Sequence, residues 1–149
     1  MRPIAGRFLV KRKQYAWMAR RSGRGLGPRW PEYIDPRGPW TYSGRLIVLV
    51  DRWSESVAEG FAMAMSETRG AIVVGTPMAG LDAAVAKIHL PQNDVDAQIF
   101  AEPVYGVNGK PRSSFVPAVP VDLTSAKGED PILAAGLAAA RQMLKRIAK

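Results

Sequence analysis

The fold is decided by residues 48–65, VLVDRWSESVAEGFAMAM, where an apolar run gives way to a polar turn and then to an alanine- and methionine-rich segment. The run starts earlier, as RLIVLVD at 45–51, and its β-branched and leucine residues are typical of a strand covered on both faces. Apolar residues then recur at helical spacing, at Ala58, Phe61, Ala62 and Met65. This spacing predicts a helix from Val57 to Thr68.

A second apolar run, AIVVG at 71–75, follows this helix after a short connection. Strand, helix and strand in this order predict a βαβ crossover with parallel strands and right-handed connection. Farther on, strands are predicted over 83–90 and 96–107, and Asn108-Gly109 is a strong turn signal between strands. The prolines of 116–123 favour extended chain.

The C-terminal segment predicts a helix that starts with a cap. Asp130 suits the capping position and Pro131 the first helical position. An apolar stripe is predicted along this helix, formed by Leu133, Gly136, Leu137, Ala140, Leu144 and Ile147.

The N-terminal part has a different sequence pattern. FLVKRKQYAW at 8–17 predicts an edge strand with its charges turned outward. Gly and Pro recur every few positions over 20–44, which predicts a loop, anchored by Trp30, Tyr33, Trp40 and Tyr42. The expected organisation is a basic strand and Gly/Pro-rich loop over 1–44 and a core over 45–149, within one domain overall.

Composition excludes several kinds of site. The 149 residues contain no cysteine, which rules out disulfides and thiolate metal ligands, and His89 is the single histidine. We therefore expect no metal and no cofactor. No apolar run reaches the length of a membrane span, and the start, MRPIAGRFLVKRK, is a poor signal peptide. A cytoplasmic location is the default expectation.

The net charge of +8 is concentrated at the N-terminus, because no acidic residue precedes Glu32. The cations before it are Arg2, Arg7, Lys11, Arg12, Lys13, Arg20, Arg21, Arg24 and Arg29. Basic residues interleaved with aromatic ones suit nucleic-acid binding, through counterion release and stacking. The alternative is a solvated face, which we favour because no RNA- or DNA-binding motif accompanies the charge.

Two serines, Ser54 and Ser56, lie in the turn between the strand and the helix. Ser56 and Glu59 have the spacing of a capping box, in which the serine oxygen accepts a hydrogen bond from the first helical turn. The same position suits a nucleophile, because the free N–H groups of the helix start can stabilise an oxyanion. The spacing alone leaves both interpretations open and favours capping.

The segment DRWSESVAEGFAMAMSETRGAIVVGTPMAGL resembles the catalytic segment of the carboxyl-terminal processing, or tail-specific, serine peptidases and their tricorn-type relatives. The shared motifs are a strand ending in Val-Asp, a Ser-x-x-Glu turn, an alanine-rich helix, a strand ending in Val-Val-Gly, and a later strand ending in Leu-Pro. The resemblance runs from about residue 40 to the end of the chain.

This resemblance implies an α/β fold of the crotonase or Clp-protease-like type, a stack of ββα units with a parallel core sheet, of which the chain would be the C-terminal part. It implies that Ser56 is the nucleophile for hydrolysis of extended polypeptide through an acyl-enzyme. The N–H of Val57 matches an oxyanion donor, while Glu59 and Ser54 would support the turn.

The chain departs from the family where a base is needed. The tail-specific branch uses a lysine in the turn after the second strand, and Leu81 occupies that position here. The tricorn-type branch uses an upstream histidine and a downstream acid. His89 is not upstream, and we interpret it as structural and Lys87 as a surface residue. The stretch expected to hold the acid offers Ser113 and Ser114.

Weak or no activity is therefore expected from this chain alone, unless self-association or a partner chain supplies the missing residues. One alternative is a non-catalytic peptide- or ligand-binding module on the same fold. Another is a basic RNA-binding protein.

Overall fold

The computed structural model of the chain describes residues 1–124 and 130–147. In chain order its elements are α1 (Arg2–Ala5), β1 (Lys13–Met18), β2 (Arg21–Ser22), β3 (Gly25–Leu26), β4 (Trp30–Ile34), β5 (Ile47–Val50), α2 (Val57–Arg69), β6 (Ile72–Gly75), β7 (Ala83–Leu90), β8 (Val95–Tyr105), β9 (Val119–Pro120) and α3 (Pro131–Ile147). Short 3-10 turns lie at Gly6–Phe8 and Arg112–Ser114.

The strands form two principal sheets of different type. An antiparallel sheet has the order β4-β1-β8-β7, and a three-stranded sheet has the order β5-β6-β9. In the second sheet β5 and β6 pair in parallel, from Ile47 opposite Ile72 to Val50 opposite Gly75, and β6 also pairs in parallel with β9. Parallel pairing of β5 and β6 around α2 is what the strand, helix and strand order predicts.

Helix α2 lies between these sheets because it is apolar nearly all round. Met63, Ala64 and Met65 are fully buried in a cluster with residues of β1, β4 and β8. Ala62 packs instead with Val50 of β5 and Val73 of β6. The helix ends at Gly70, whose left-handed conformation lets the N–H of the next residue, Ala71, reach the Met65 carbonyl at 3.1 Å.

Two predictions for the N-terminal part are wrong. Strand β1 is not an edge strand, because it lies between β4 and β8, and the chain before it is helical in part. The predicted loop over 20–44 contains the β2–β3 hairpin and all of β4. Pro31 misled the prediction, since a proline is tolerated in a strand at a sheet edge, which is where β4 lies.

The start of α3 is as predicted, and the larger apolar residues of its stripe are not the ones that pack on the sheet. Asp130 Oδ1 accepts the N–H groups of Ile132 and Leu133, each at 3.0 Å, so it caps the helix that Pro131 begins. The helix packs on the parallel sheet through small residues, Gly136 and Ala139. A Cβ at Gly136 would lie 2.6 Å from Leu49 of β5.

The larger members of the stripe face outward instead. Leu133, Leu137 and Leu144 are 47%, 49% and 66% exposed. The side chain of Ile147 lies outside the described part of the chain. Close approach through glycine and alanine therefore determines which face of α3 is buried.

Gly75 is predicted to be irreplaceable at the end of β6. Its φ of 145° is a conformation that other residues avoid, and a Cβ there would lie 1.7 Å from the Val50 carbonyl oxygen. Gly75→Ala should lower the free energy of unfolding in urea by about 3 kcal/mol. Gly25→Ala is the matched control, because nothing lies within 4 Å of its Cβ position. Equal effects of the two substitutions would contradict this account.

Candidate active site

The turn from β5 to α2 is closed by its own polar side chains. Ser54 Oγ accepts the Asp51 N–H at 3.1 Å and donates to Asp51 Oδ1 at 3.1 Å. The Trp53 N–H donates to the same carboxylate oxygen at 3.0 Å. The Ser54 hydroxyl is therefore engaged within the turn both as a donor and as an acceptor. Of the two serines, only Ser56 has its hydroxyl at the start of the helix.

Ser56 has a strained backbone at this corner. Its φ of 51° and ψ of −104° lie outside the conformations that residues with a side chain prefer, at a cost of about 1–3 kcal/mol. Its hydroxyl lies towards the Glu59 N–H, as in a capping box, but makes no cap hydrogen bond of normal geometry. The residue is partly buried, so the hydroxyl is not sealed within the first turn.

The carboxylate of Glu59 is the polar centre of the site. The residue is 1% exposed and accepts the Ser56 N–H at 2.8 Å. It also accepts the Gly80 N–H at 2.7 Å and the Leu81 N–H at 3.1 Å. One buried carboxylate therefore joins the start of α2 to the turn that follows β6.

Arg112 supplies the opposite charge. Its Nε lies 3.8 Å from Glu59 Oε2 and donates to the Leu81 carbonyl at 2.6 Å, while Nη2 donates to the Ala83 carbonyl at 3.3 Å. Burial lowers the pKa of the guanidinium, and the carboxylates of Glu59 and Asp82 oppose that effect. The sequence gives no signal for this contact, because Arg112 lies far along the chain from Glu59 and outside any shared motif.

Ser56 opens onto a cleft of about 270 Å³, which we call the Ser56 cleft; Tyr15, Val57, Ala84 and Arg112 also border it. The Val57 side of the cleft carries a backbone donor. Within residues 1–124 and 130–147 the Val57 N–H has no hydrogen-bond partner, as expected for the first residue of a helix. The Ser56 hydroxyl and the Val57 N–H are thus next to each other at the start of α2.

No general base of the expected kinds faces this cleft. None of the described residues that line it is a histidine, a lysine or a carboxylate. Leu81, where the resemblance would place a lysine, contributes its N–H to Glu59 and no side chain that can accept a proton. Ser113 and Ser114 are engaged elsewhere: the Ser113 N–H bonds Asp82 at 2.9 Å and the Ser114 hydroxyl donates to the Pro111 carbonyl at 2.7 Å.

His89 lies on the outer half of the β7–β8 hairpin, five residues beyond Ala84. In an extended strand this is about 16 Å. Its Nδ1 lies 3.2 Å from Asp96 Oδ1, and Lys87 pairs with the same carboxylate. The imidazole side chain is 55% exposed. His89 therefore braces an exposed hairpin and does not reach Ser56 along this strand.

The basic N-terminal residues are largely engaged within the molecule. Arg2 pairs with Glu32, Arg12 with Asp35 at 3.6 Å, and Arg20 with Glu102 at 2.8 Å. Other cations lie over aromatic rings: Arg7 over Trp40, Arg12 over Tyr33 and Arg29 over Tyr105. This arrangement favours a structural use of much of the charge over a continuous nucleic-acid track.

Two further findings concern the described part of the chain. It contains no group of three or more acidic or histidine side chains placed to hold a metal ion. It also contains no helix that is both long and apolar enough to cross a bilayer.

The Glu59–Arg112 pair yields a stability prediction. Arg112→Met should lower the free energy of unfolding by about 3–5 kcal/mol, because it leaves the Glu59 charge buried without its cation. The double variant Arg112→Met/Glu59→Gln should lose less free energy of unfolding than the two single variants lose together. Urea denaturation of the four proteins measures this coupling. Lys87→Met, at an exposed pair, is the control and should cost under about 1 kcal/mol; an equal loss there, or strict additivity in the cycle, would contradict the prediction.

Comparison with solved structures gives the same architecture. A candidate peptidase from Parabacteroides merdae superposes with a TM-score of 0.79 and 26% identity, over 93% of this chain and 46% of that one. The photosystem II D1 C-terminal processing protease gives a TM-score of 0.60 at 16% identity, over 93% of this chain and 35% of that one. Mature CPAF gives a TM-score of 0.56 at 21% identity, over 64% of this chain and 20% of that one.

The chain spans less than half the length of each of these structures. The two comparisons under 25% identity show the fold alone. Family membership rests on the sequence itself, which matches peptidase family S41 over residues 7–108, most of the chain. This range includes the Ser56 turn, Glu59 and the turn that Glu59 binds. The chain belongs to peptidase family S41.

Proposed function

We propose that the chain carries the nucleophile side of a serine-peptidase site, with Ser56 as the nucleophile and the Val57 N–H as an oxyanion donor. The observation that carries this proposal is the backbone of Ser56. A residue with a side chain is held at a φ of 51° where a strand meets a helix, and such strain persists where the surrounding structure imposes it. A capping serine needs no such strain.

The chemistry follows from this geometry. Ser56 Oγ would attack the carbonyl carbon of a peptide bond, and the negative charge that forms on the carbonyl oxygen would be stabilised by the Val57 N–H and the positive end of α2. The base would take the Ser56 proton and return it to the amine as the C–N bond breaks, leaving an acyl group on Ser56 that water then removes as a carboxylic acid. Glu59 takes no part in these steps; it fixes the turn.

The substrate we propose is an extended polypeptide. In the described part of the chain β5 pairs on one side only, with β6, so its other edge is open for a strand to add. Beside that edge lies an apolar groove of about 600 Å³, bordered by Leu49, Val57, Ala58 and Phe61. The scaffold we propose is the crotonase- or Clp-protease-like stack that the resemblance implies.

Activity of this chain alone should be weak or absent. A serine hydroxyl needs a base, and the Ser56 cleft offers no histidine, lysine or carboxylate among the described residues. We propose that a second chain or a second copy supplies it.

The absence of a base in the described cleft also favours a second candidate function, a non-catalytic module that binds peptide on the same fold. In that case the open edge of β5 and its apolar groove would serve binding alone.

A fluorophosphonate probe tests the proposal, with Ser54→Ala as the matched control for Ser56→Ala. We expect slow labelling at Ser56, at least about 10²-fold below that of a complete site, because the base is missing. Labelling should vanish in Ser56→Ala and persist in Ser54→Ala. Mass spectrometry of the adduct identifies the residue.

Three other results would change the assignment. Labelling that survives Ser56→Ala would refute the nucleophile. Rapid turnover of an unstructured peptide that disappears in Ser56→Ala would show that a base exists within the chain. No labelling, with peptide binding unchanged in Ser56→Ala, would establish the binding module instead.

A further inference from the structure

A second cleft lies where β1 and β8 diverge. It measures about 280 Å³ and lies between the β2–β3 hairpin and β8; we call it the hairpin cleft. Arg21, Arg24 and Leu26 border it on one side, and Phe100, Ala101 and Pro103 on the other. None of these residues borders the Ser56 cleft.

Two guanidinium groups stand at its rim. Arg21 and Arg24 are exposed, and their side chains make no ion pair or hydrogen bond within the described residues. The neighbouring acid, Glu102, is already held by Arg20, whose Nε donates to it at 2.8 Å. The rim therefore carries two positive charges without a carboxylate to balance them, on a chain whose net charge is +8.

The floor is apolar and uncovered. Leu26 is 54% exposed and Phe100 is 67% exposed, and the remaining floor is formed by Ala83, Ala101 and Pro103. Large apolar side chains that stay exposed beside unpaired cations are a combination that suits an amphipathic anion.

The edge of β8 along this cleft is open. Strand β8 pairs with β1 only at Val104 and Tyr105, and the Ala19 N–H adds a bond to the Pro103 carbonyl at 3.2 Å. Over 95–102 the described pairing of β8 is with β7 alone. Alternate N–H and C=O groups on the side of the β2–β3 hairpin are thus available to an added strand.

We propose that the hairpin cleft binds an extended, acidic segment of polypeptide, which adds as a strand to the open edge of β8. Its carboxylates pair with Arg21 and Arg24, and an aliphatic side chain rests on Leu26 and Phe100. This binding function is independent of Ser56 and of the proposed hydrolysis.

Single-stranded nucleic acid fits the same features less well. Such ligands use successive aromatic platforms along a basic track. Here Phe100 is the one aromatic residue that lines the described cleft. The cations that would extend the track, Arg20 and Arg29, are held by Glu102 and Tyr105. The small apolar floor of the hairpin cleft suits a leucine or valine side chain better than a nucleic-acid base.

Fluorescence anisotropy with a labelled peptide of about eight residues, alternating glutamate and leucine, tests the proposal. We expect binding that weakens as salt is raised, and at least about tenfold weaker binding for the same peptide with glutamine in place of glutamate. A backbone N-methylated version should also bind weakly, because it cannot add as a strand.

The variant Arg21→Gln/Arg24→Gln should weaken binding of the acidic peptide at least about tenfold. The control Lys11→Gln/Arg45→Gln removes the same charge elsewhere and should change binding little. Both pairs are exposed, so far-UV circular dichroism should be unchanged. Phe100→Ser should weaken binding without altering net charge.

Four outcomes would overturn the proposal: no binding of the acidic peptide at low salt, equal binding of the glutamine peptide, equal weakening by the control pair, or tighter binding of an oligothymidylate of similar length. The last would replace the polypeptide with a nucleic acid as the ligand of this cleft. Failure of Ser56 labelling leaves all these measurements unaffected, so the two proposals fail separately.

Discussion

The structure around the candidate site depends on how one buried carboxylate is satisfied. Glu59 lies 1% exposed in the first turn of α2, where an unpaired negative charge would be very costly. It is stabilised by backbone N–H donors from two segments and by the guanidinium of Arg112 from a third. These donors must converge on one point, so the carboxylate fixes the relative positions of the segments that carry them.

This convergence lies beside the strain at Ser56. The Ser56 N–H is directed at Glu59, and Ser56 has its positive φ where the chain leaving β5 enters α2. The Ser56 hydroxyl lies beside the Val57 N–H, and both residues border the Ser56 cleft. The capping-box contacts that the spacing predicts are present in the folded chain, but they are made on a strained backbone. Glu59 fixes the position of Ser56 through the Ser56 N–H.

Local sequence patterns correctly predicted the elements whose pattern lies within one continuous segment of the chain. Strands β5 and β6 and helix α2 appear within a few residues of their predicted bounds, and Asp130 caps α3. Strand β4 was missed because its proline and its neighbouring glycines are typical of loops, and its edge position becomes known only from the sheet. The outward turn of Leu133, Leu137 and Leu144 depended on the close contact of Gly136 with Leu49, which no periodicity reveals.

The residues of the candidate site were likewise predicted only in part. Ser56, Val57 and Glu59 form one continuous motif and were predicted from it, whereas Arg112 was missed because the contact is made only when distant segments fold together. The missing general base is a different case, because none of the described residues that line the cleft is a histidine, a lysine or a carboxylate. Sequence reasoning identified the Ser56 turn and could not identify the Glu59–Arg112 ion pair behind it.

Amide hydrogen exchange at Gly80 and Leu81 tests the central claim most directly. Both residues lie in a turn near the surface, and their N–H groups face Glu59 rather than another backbone carbonyl. The account predicts that these two amides are protected, together with that of Ser56, and exchange at similar rates because one carboxylate holds all three. Exchange of Gly80 and Leu81 as fast as an exposed loop, with Ser56 alone protected, would contradict it.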